Sequence, residues 1–229
     1  RGAFLQVCYC IGLGVPFGYG PDKVNNYELG LKSDLFDHRA SIELAAYWID
    51  WKDIQVQEIT PLGLSFLDNA GTAVSRGFEA SGSWRPVDGL TLAGNVTYID
   101  AHLTEDLPAG GATALSGDRL PLTPHWGGAL GADYTFPLTG AWNGQVGADW
   151  RHVGETAGAF PNPGLPRFQH PAYDTVDLRV GVNNDRWTLM LYAKNIGNSH
   201  GQVGDLAFGD TRVSIIQPRT FAVSLAAKF

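Results

Sequence analysis

Phe221-Ala-Val-Ser-Leu-Ala-Ala-Lys-Phe229 closes the sequence, and its alternation decides the fold. Side chains of a strand point to opposite faces with period two, so Phe221, Val223, Leu225, Ala227 and Phe229 share one face. Thr220, Ala222, Ser224, Ala226 and Lys228 share the other. An apolar stripe running to an aromatic terminus suits the last strand of a transmembrane barrel, which ends in the aromatic belt at the bilayer surface.

The same period runs upstream. Turn signals divide the chain into strands expected at 24–33, 39–56, 70–85, 90–101, 122–136, 142–153, 173–183, 186–196 and 212–229. No stretch sustains helical periodicity. Short connections at 34–38, 86–89, 137–141 and 183–185 alternate with long ones at 57–69, 102–121, 154–172 and 197–210. That rhythm of tight turns and large loops is the one expected of outer-membrane hairpins.

Parity sorts the side chains. Tyr27, Leu29, Leu31, Ile42, Leu44, Trp48, Phe78, Trp84, Leu92, Tyr98, Trp126, Leu130, Trp150, Leu178, Trp187 and Leu191 fall on one face. Glu28, Lys32, Glu43, Glu79, Asp133, Asp149, Arg151, Asp177, Arg179, Lys194 and Lys228 fall on the other. A lipid-facing Lys or Arg at the bilayer midplane costs about 2–4 kcal/mol, which accounts for the segregation. The aromatics are expected in two outward bands, Trp84, Tyr134, Phe136, Trp142, Trp187 and Phe229 near the short turns, and Trp48, Tyr98, Trp126, Trp150 and Tyr173 near the long loops.

Composition agrees. Charged residues make up 17% of 229 residues, 29 are glycine, and no run approaches the roughly eighteen apolar residues of a spanning helix. A net charge of −7 argues against a nucleic-acid partner. Cys8 and Cys10 are the two cysteines, too close for a comfortable disulfide and too few for a metal site. His102, His125, His152, His170 and His200 gather toward the long-loop end without metal-ligand spacing, so no metal or cofactor is expected.

Nine strands is an odd count, whereas single-chain bacterial barrels are even-numbered. The inward residues are mostly small or charged and would underfill a narrow barrel. The expected fold class is therefore all-β, an antiparallel up-and-down transmembrane β-barrel in part, with 21–229 as its C-terminal portion and 1–20 as an atypical N-terminal segment. A chain starting at Arg1 without Met or signal peptide reads as a piece of something longer or a processed product.

Several motifs carry a resemblance. Asn26-Tyr-Glu-Leu-Gly-Leu-Lys-Ser33, Ala46-Tyr-Trp-Ile-Asp-Trp-Lys-Asp-Ile-Gln55, Asn69-Ala-Gly71 and Ser75-Arg-Gly-Phe-Glu79 open the series. Gly117-Asp-Arg-Leu-Pro-Leu-Thr-Pro-His-Trp126, Asp177-Leu-Arg179, Lys194-Asn-Ile196 and Pro218-Arg-Thr220 through Phe229 continue it in order. Together they resemble the barrel of TonB-dependent outer-membrane receptors over about residues 17–229. The resemblance implies a 22-stranded barrel filled by a plug, of which these would be the last nine strands. It also implies active uptake of a scarce ligand, a ferric siderophore foremost, in the bacterial outer membrane, with the TonB complex, membrane lipid and the barrel-insertion machinery as partners. The plug and the TonB-contacting box are absent from this sequence, and residues 1–15 do not resemble a preceding strand.

Candidate ligand contacts lie at the outer rim and in the long loops: Arg119, Arg151, Arg167 and Arg212, with Phe160 and Phe168. Arginine forks pair with carboxylate or catecholate oxygens, and rings give flat apolar contact to a chelator. The bland alternative is that each Arg pairs locally and each Phe packs loop on loop. Phe221, Val223, Leu225 and Phe229 are the candidate assembly signal. The segment 102–121, long and rich in Gly and Ala, is expected to be mobile. An enzyme is not expected, since no G-x-S-x-G elbow or telling Ser–His spacing occurs. A barrel hydrolase and a passive porin-like channel are the competing classes.

Overall fold

A computed structural model describes residues 18–59, 65–69, 71–107, 114–160, 166–205 and 213–228. Nine long strands form one antiparallel sheet in the order β1-β2-β5-β6-β7-β8-β11-β12-β15. They are β1 (Lys23–Leu35), β2 (Ala40–Lys52), β5 (Thr72–Trp84), β6 (Leu90–Leu103), β7 (Trp126–Pro137), β8 (Asn143–Val153), β11 (Tyr173–Asn183), β12 (Trp187–Lys194) and β15 (Thr220–Ala227). The other six strands pair within the long connections: β3 (Gln55–Ile59) with β4 (Ser65–Asn69), β9 (Thr156–Ala157) with β10 (Gln169–His170), and β13 (Gln202–Asp205) with β14 (Val213–Ile215).

Each sheet strand pairs with its sequence neighbour in the sheet, and the ladder is unbroken in register. One row takes a residue from every strand: Leu35, Ala40, Trp84, Leu92, Ala132, Ala148, Leu178, Ala193 and Phe221. All nine are apolar. The row one residue away, on the opposite face, reads Asp34, Ser41, Ser83, Ala93, Gly131, Asp149 and Asp177. Directly opposed residues share a face, so a single register holds the two chemistries apart across the whole sheet. The apolar face is open in this chain, with Leu29 at 79%, Phe221 at 75% and Val223 at 70% exposure. A soluble sandwich would cover those side chains with a second sheet, whereas a barrel wall leaves them for the hydrocarbon of a bilayer.

Short turns close one rim. At 36–39, Phe36, Asp37 and His38 all adopt left-handed φ, and Arg39 N donates to Phe36 O at 3.1 Å. Gly89 has φ of 82° and lies against the neighbouring strand, where an added Cβ would sit 2.1 Å from Thr135 O. That position admits only glycine.

The structure departs from the expected strands in identifiable places. The last one does not run 212–229: Val213–Ile215 joins a loop ribbon, and pairing with the sheet starts only at Thr220, after Pro218. Pro lacks the amide that a ladder needs. The second ends at Lys52, where Asp53 turns left-handed (φ 55°) and sends the chain into β3. The fifth begins at Trp126, after Pro121 and Pro124, instead of 122. Tyr173, expected outward, shares its face with Thr175 and Asp177 and packs its ring over Gly201.

The lipid-facing side also carries charge at its long-loop end. Arg76 and Asp100 oppose each other in the row of Trp48, and Arg76 donates to Asp100 through Nε and Nη2, both at 2.9 Å. The guanidinium lies 5.3 Å from the Trp48 ring centroid. Trp150 Nε1 donates to Asp174 Oδ1 at 3.0 Å on the same side. Charge on this face costs little near the interface, so these pairs mark the height at which strands leave the hydrocarbon.

Candidate functional site

The inward face is a wall of small residues crossed by a few ion pairs. Gly147 stands between Asp133 on β7 and Arg179 on β11, its direct partners in the ladder. With no side chain there, Arg179 reaches across the strand. Its Nε donates to Asp133 Oδ1 at 2.8 Å, Nη2 to Asp133 Oδ2 at 2.5 Å, and Nη1 to Asp149 Oδ2. An added Cβ on Gly147 would lie 2.4 Å from Arg179 Nε. Lys32 Nζ meets Glu43 Oε2 at 3.2 Å nearer the β1 edge.

Between these pairs lies a concavity of about 570 Å³ whose floor is Ser81, Ser83, Ala93, Asn95, Ala129 and Gly131. Glu43, Asp149, Arg151 and Asp177 stand around it. Asp177 Oδ1 accepts from Asn195 N at 2.7 Å. Among the described residues, Arg151 has no ion pair or hydrogen bond of its side chain. Its guanidinium faces the lumen.

Above the wall, the long connections interlock. Ile54, Ala73, Leu103, Leu107 and Ala114 form a small buried core, with Trp51, Leu120 and Phe160 packed against it. Leu103 is fully buried. Trp51 Nε1 donates to Asp22 Oδ2 at 2.7 Å. Asn69 ties three segments together: its Nδ2 donates to Asp53 O at 2.7 Å and Gly20 O at 3.1 Å, and its Oδ1 accepts from Gly20 N. The connection after β6 is stitched through its described parts. Leu103 N donates to Asp118 O, Gly117 N to Leu103 O, Leu107 N to Ala114 O and Leu120 N to Ala101 O, at 2.8–3.0 Å. Where the composition of 102–121 suggested mobility, both of its limbs are hydrogen-bonded to each other.

This architecture has relatives. The family model described as TonB dependent receptor-like, beta-barrel matches residues 10–196. The chain belongs to the TonB-dependent receptor family. It is 34% identical over 160 residues to the metal-pseudopaline receptor CntO of Pseudomonas aeruginosa, covering 70% of this chain and 21% of that protein. It is 30% identical over 106 residues to the pesticin receptor of Yersinia enterocolitica, covering 46% of this chain and 15% of that protein. The crystal structure of the ferric yersiniabactin uptake receptor FyuA from Yersinia pestis superimposes with a TM-score of 0.76 at 20% identity, over 91% of this chain and 30% of that one. The chain thus spans about a fifth of the length of the first of these relatives. The nine-stranded sheet is a partial barrel of this family, and its place is the bacterial outer membrane.

Within that receptor wall, the expected ligand contacts fare differently. Arg151 lines the lumenal concavity. Arg119 is turned to its neighbours: its Nη1 donates to Glu155 O at 3.0 Å and Nη2 lies 3.6 Å from Glu155 Oε1. Arg167 stacks over Phe160 at 4.7 Å from the ring centroid, and its Nε donates to Gly158 O at 3.0 Å. Phe160 also closes the loop core, so these two hold loop to loop. Phe168 packs against His170 with the rings tilted at 53° and centroids 5.0 Å apart, and keeps 38% exposure. Arg212 and Phe229 lie outside the described residues. Phe221, Val223 and Leu225 form the outward stripe of β15, at 75%, 70% and 66% exposure. The Asp133–Arg179–Asp149 clamp and the Asn69 hub were not among the expected site residues. Parity had placed the first three on one face, but their convergence over Gly147 needed the strand register.

Proposed function

We infer that this chain is the C-terminal part of the barrel wall of an outer-membrane receptor for active uptake of a metal chelate, a ferric siderophore or related metallophore. In this reading residues 21–229 are barrel, residues 1–20 precede it, and the nine sheet strands are the last of twenty-two. The ligand is captured at the outer mouth, and energy relayed by the TonB complex through a plug opens the path. The observation that carries the reading is Arg151. An exposed guanidinium with no internal partner among the described residues faces the lumen from a floor of small side chains. Such a fork is suited to the anionic oxygens of a chelate. The 34% identity to a metal-pseudopaline receptor supports a metal-bearing cargo. Phe168, and Arg212 in the connection before β14, are secondary contacts.

The outward stripe of Phe221, Val223 and Leu225, ending at Phe229, is the signal read by the barrel-insertion machinery, and the outward rows meet membrane lipid. No catalytic residue is assigned, and the protein acts as a transporter, not an enzyme.

The test uses the full-length receptor. Arg151→Gln should weaken binding of its metal chelate about tenfold while leaving barrel folding intact, the loss expected for one charge-assisted contact of about 1.5 kcal/mol. Unchanged affinity removes Arg151 from the site. Uptake that persists after collapse of the proton-motive force, or steady conductance of the intact protein in a planar bilayer, would favour a passive channel instead. Labelling of a serine by an activated ester probe would favour a hydrolase.

A further inference from the structure

The outward face of the β1–β2 hairpin changes chemistry pair by pair along its ladder. Leu31 opposes Leu44 and Leu29 opposes Ala46, two apolar pairs at the height of the hydrocarbon. Tyr27 opposes Trp48 at the aromatic band, and Asn25 opposes Asp50 above it. Lys23 opposes Lys52 at the long-loop end. All five pairs have the parity of Leu35 and Ala40, the lipid-facing pair of the same two strands, and no bulge interrupts the register between them. The two lysines therefore stand on the outward side of the wall, in line with the apolar pairs below.

That last pair calls for an anion. Like charges directly opposite each other, with Cβ atoms about 5 Å apart, destabilise a sheet. Among the described residues neither ammonium has an ion pair or a hydrogen bond. The acids nearby are engaged or lie off the pair. Asp50 accepts from Trp48 Nε1 at 2.8 Å, and Asp22 accepts at 2.7 Å from Trp51, whose parity is lumenal. Asp53 follows at the left-handed residue (φ 55°) where the chain leaves the sheet. On the same face Arg76 is matched by Asp100 within the protein, and the lysine pair has no such match.

Height selects the anion. Lys23 and Lys52 lie four residues beyond Tyr27 and Trp48, about 14 Å along the strands. At a tilt of about 35–45° that is about 10 Å above the aromatic band, and lysine stems bend back toward the headgroups. Two facing cations thus stand over a polar pair, a pair of rings and two apolar pairs, in that order down one line. A lipid with a phosphate, a hydroxyl-bearing headgroup and acyl chains presents the same order. Asn25 and the Asp50 carboxylate accept from sugar hydroxyls, and the rings of Tyr27 and Trp48 suit the C–H face of a sugar. We propose that this face binds one phosphorylated glycolipid of the long-loop leaflet. Its phosphate bridges Lys23 and Lys52, and its acyl chains lie against Leu29 and Leu44.

The experiment takes the full-length receptor, delipidated in detergent and titrated with lipid A, with bound lipid counted by native mass spectrometry. Lys23→Gln with Lys52→Gln should weaken retention about tenfold, and dephosphorylated lipid A should bind the unaltered receptor about tenfold more weakly. The two losses should not add, because they remove the two sides of one contact. Unchanged retention in the double variant, or equal binding of the dephosphorylated lipid, overturns the assignment. Phosphatidylglycerol held as tightly as lipid A overturns it too, since the sugar contacts would then contribute nothing. Both lysines are exposed and repel each other, so in lipid-free detergent their replacement should leave the denaturation midpoint unchanged or raise it. A lowered midpoint would mean that a carboxylate of the receptor itself pairs with the lysines, and would equally refute the proposal.

Discussion

Replacing Leu178 by lysine tests the division of the sheet into two faces. Leu178 sits at the middle of β11, in the row that takes an apolar residue from each of the nine strands, between Ala148 and Ala193. In this isolated chain it is 43% exposed, so lipid is its main neighbour on the outward side. A lysine near the bilayer midplane costs about 2–4 kcal/mol on a barrel's lipid face. The control is Gln145→Lys, which faces the lumen on the adjacent strand opposite Gly181. Water solvates that charge, and the expected change is within about 0.5 kcal/mol. The full-length barrel, unfolded reversibly by denaturant in lipid vesicles, should therefore show a difference of about 2–4 kcal/mol between the variants. Every 1.4 kcal/mol is tenfold, so the folding constants should separate by more than a decade. Equal costs, or a larger cost for Gln145→Lys, would mean that the faces have been assigned the wrong way round.

Arg179→Ala strands two carboxylates that are about half exposed (55% and 48%), so a loss of about 1–2 kcal/mol is expected, with coupling to Asp133→Ala in a double-mutant cycle. Gly77→Ala should lower insertion yield sharply, because the new Cβ would lie 2.0 Å from Tyr98 O, a backbone atom that cannot swing aside. Asn69→Ala removes the bonds joining Gly20, Asp53 and the β3–β4 ribbon; faster amide exchange across 55–69 with unchanged exchange in β5 is the expected signature.

Most of the wall was legible because period two and the spacing of turns are written locally. The apolar row through Trp84, Leu92, Ala132 and Ala148 follows from parity once the turns are located. What parity cannot give is height. Arg76 and Asp100 share the lipid face with Phe78 and Tyr98, and only pairing across strands shows them neutralising each other at the interface. Tyr173 was misread because its aromatic character suggested a belt, while its parity with Asp177 pointed inward. The loop ribbons were missed for a different reason: their strands are two to five residues long and pair across gaps that carry no repeating pattern. The same limit applied to the candidate site. Arg119 and Arg151 look alike in sequence, yet one is held by Glu155 and the other is left facing the lumen.

The buried cluster around Leu103 has a bearing on how the exterior of such a receptor can change over time. Ile54, Leu107, Ala114 and Phe160 come from three separate connections, and each relies on the others for shelter from water. Change is therefore tolerated best at loop positions whose side chains touch no neighbour. Substitutions at the shared footing would loosen several connections at once, so drift in one is restrained by the shapes of the other two.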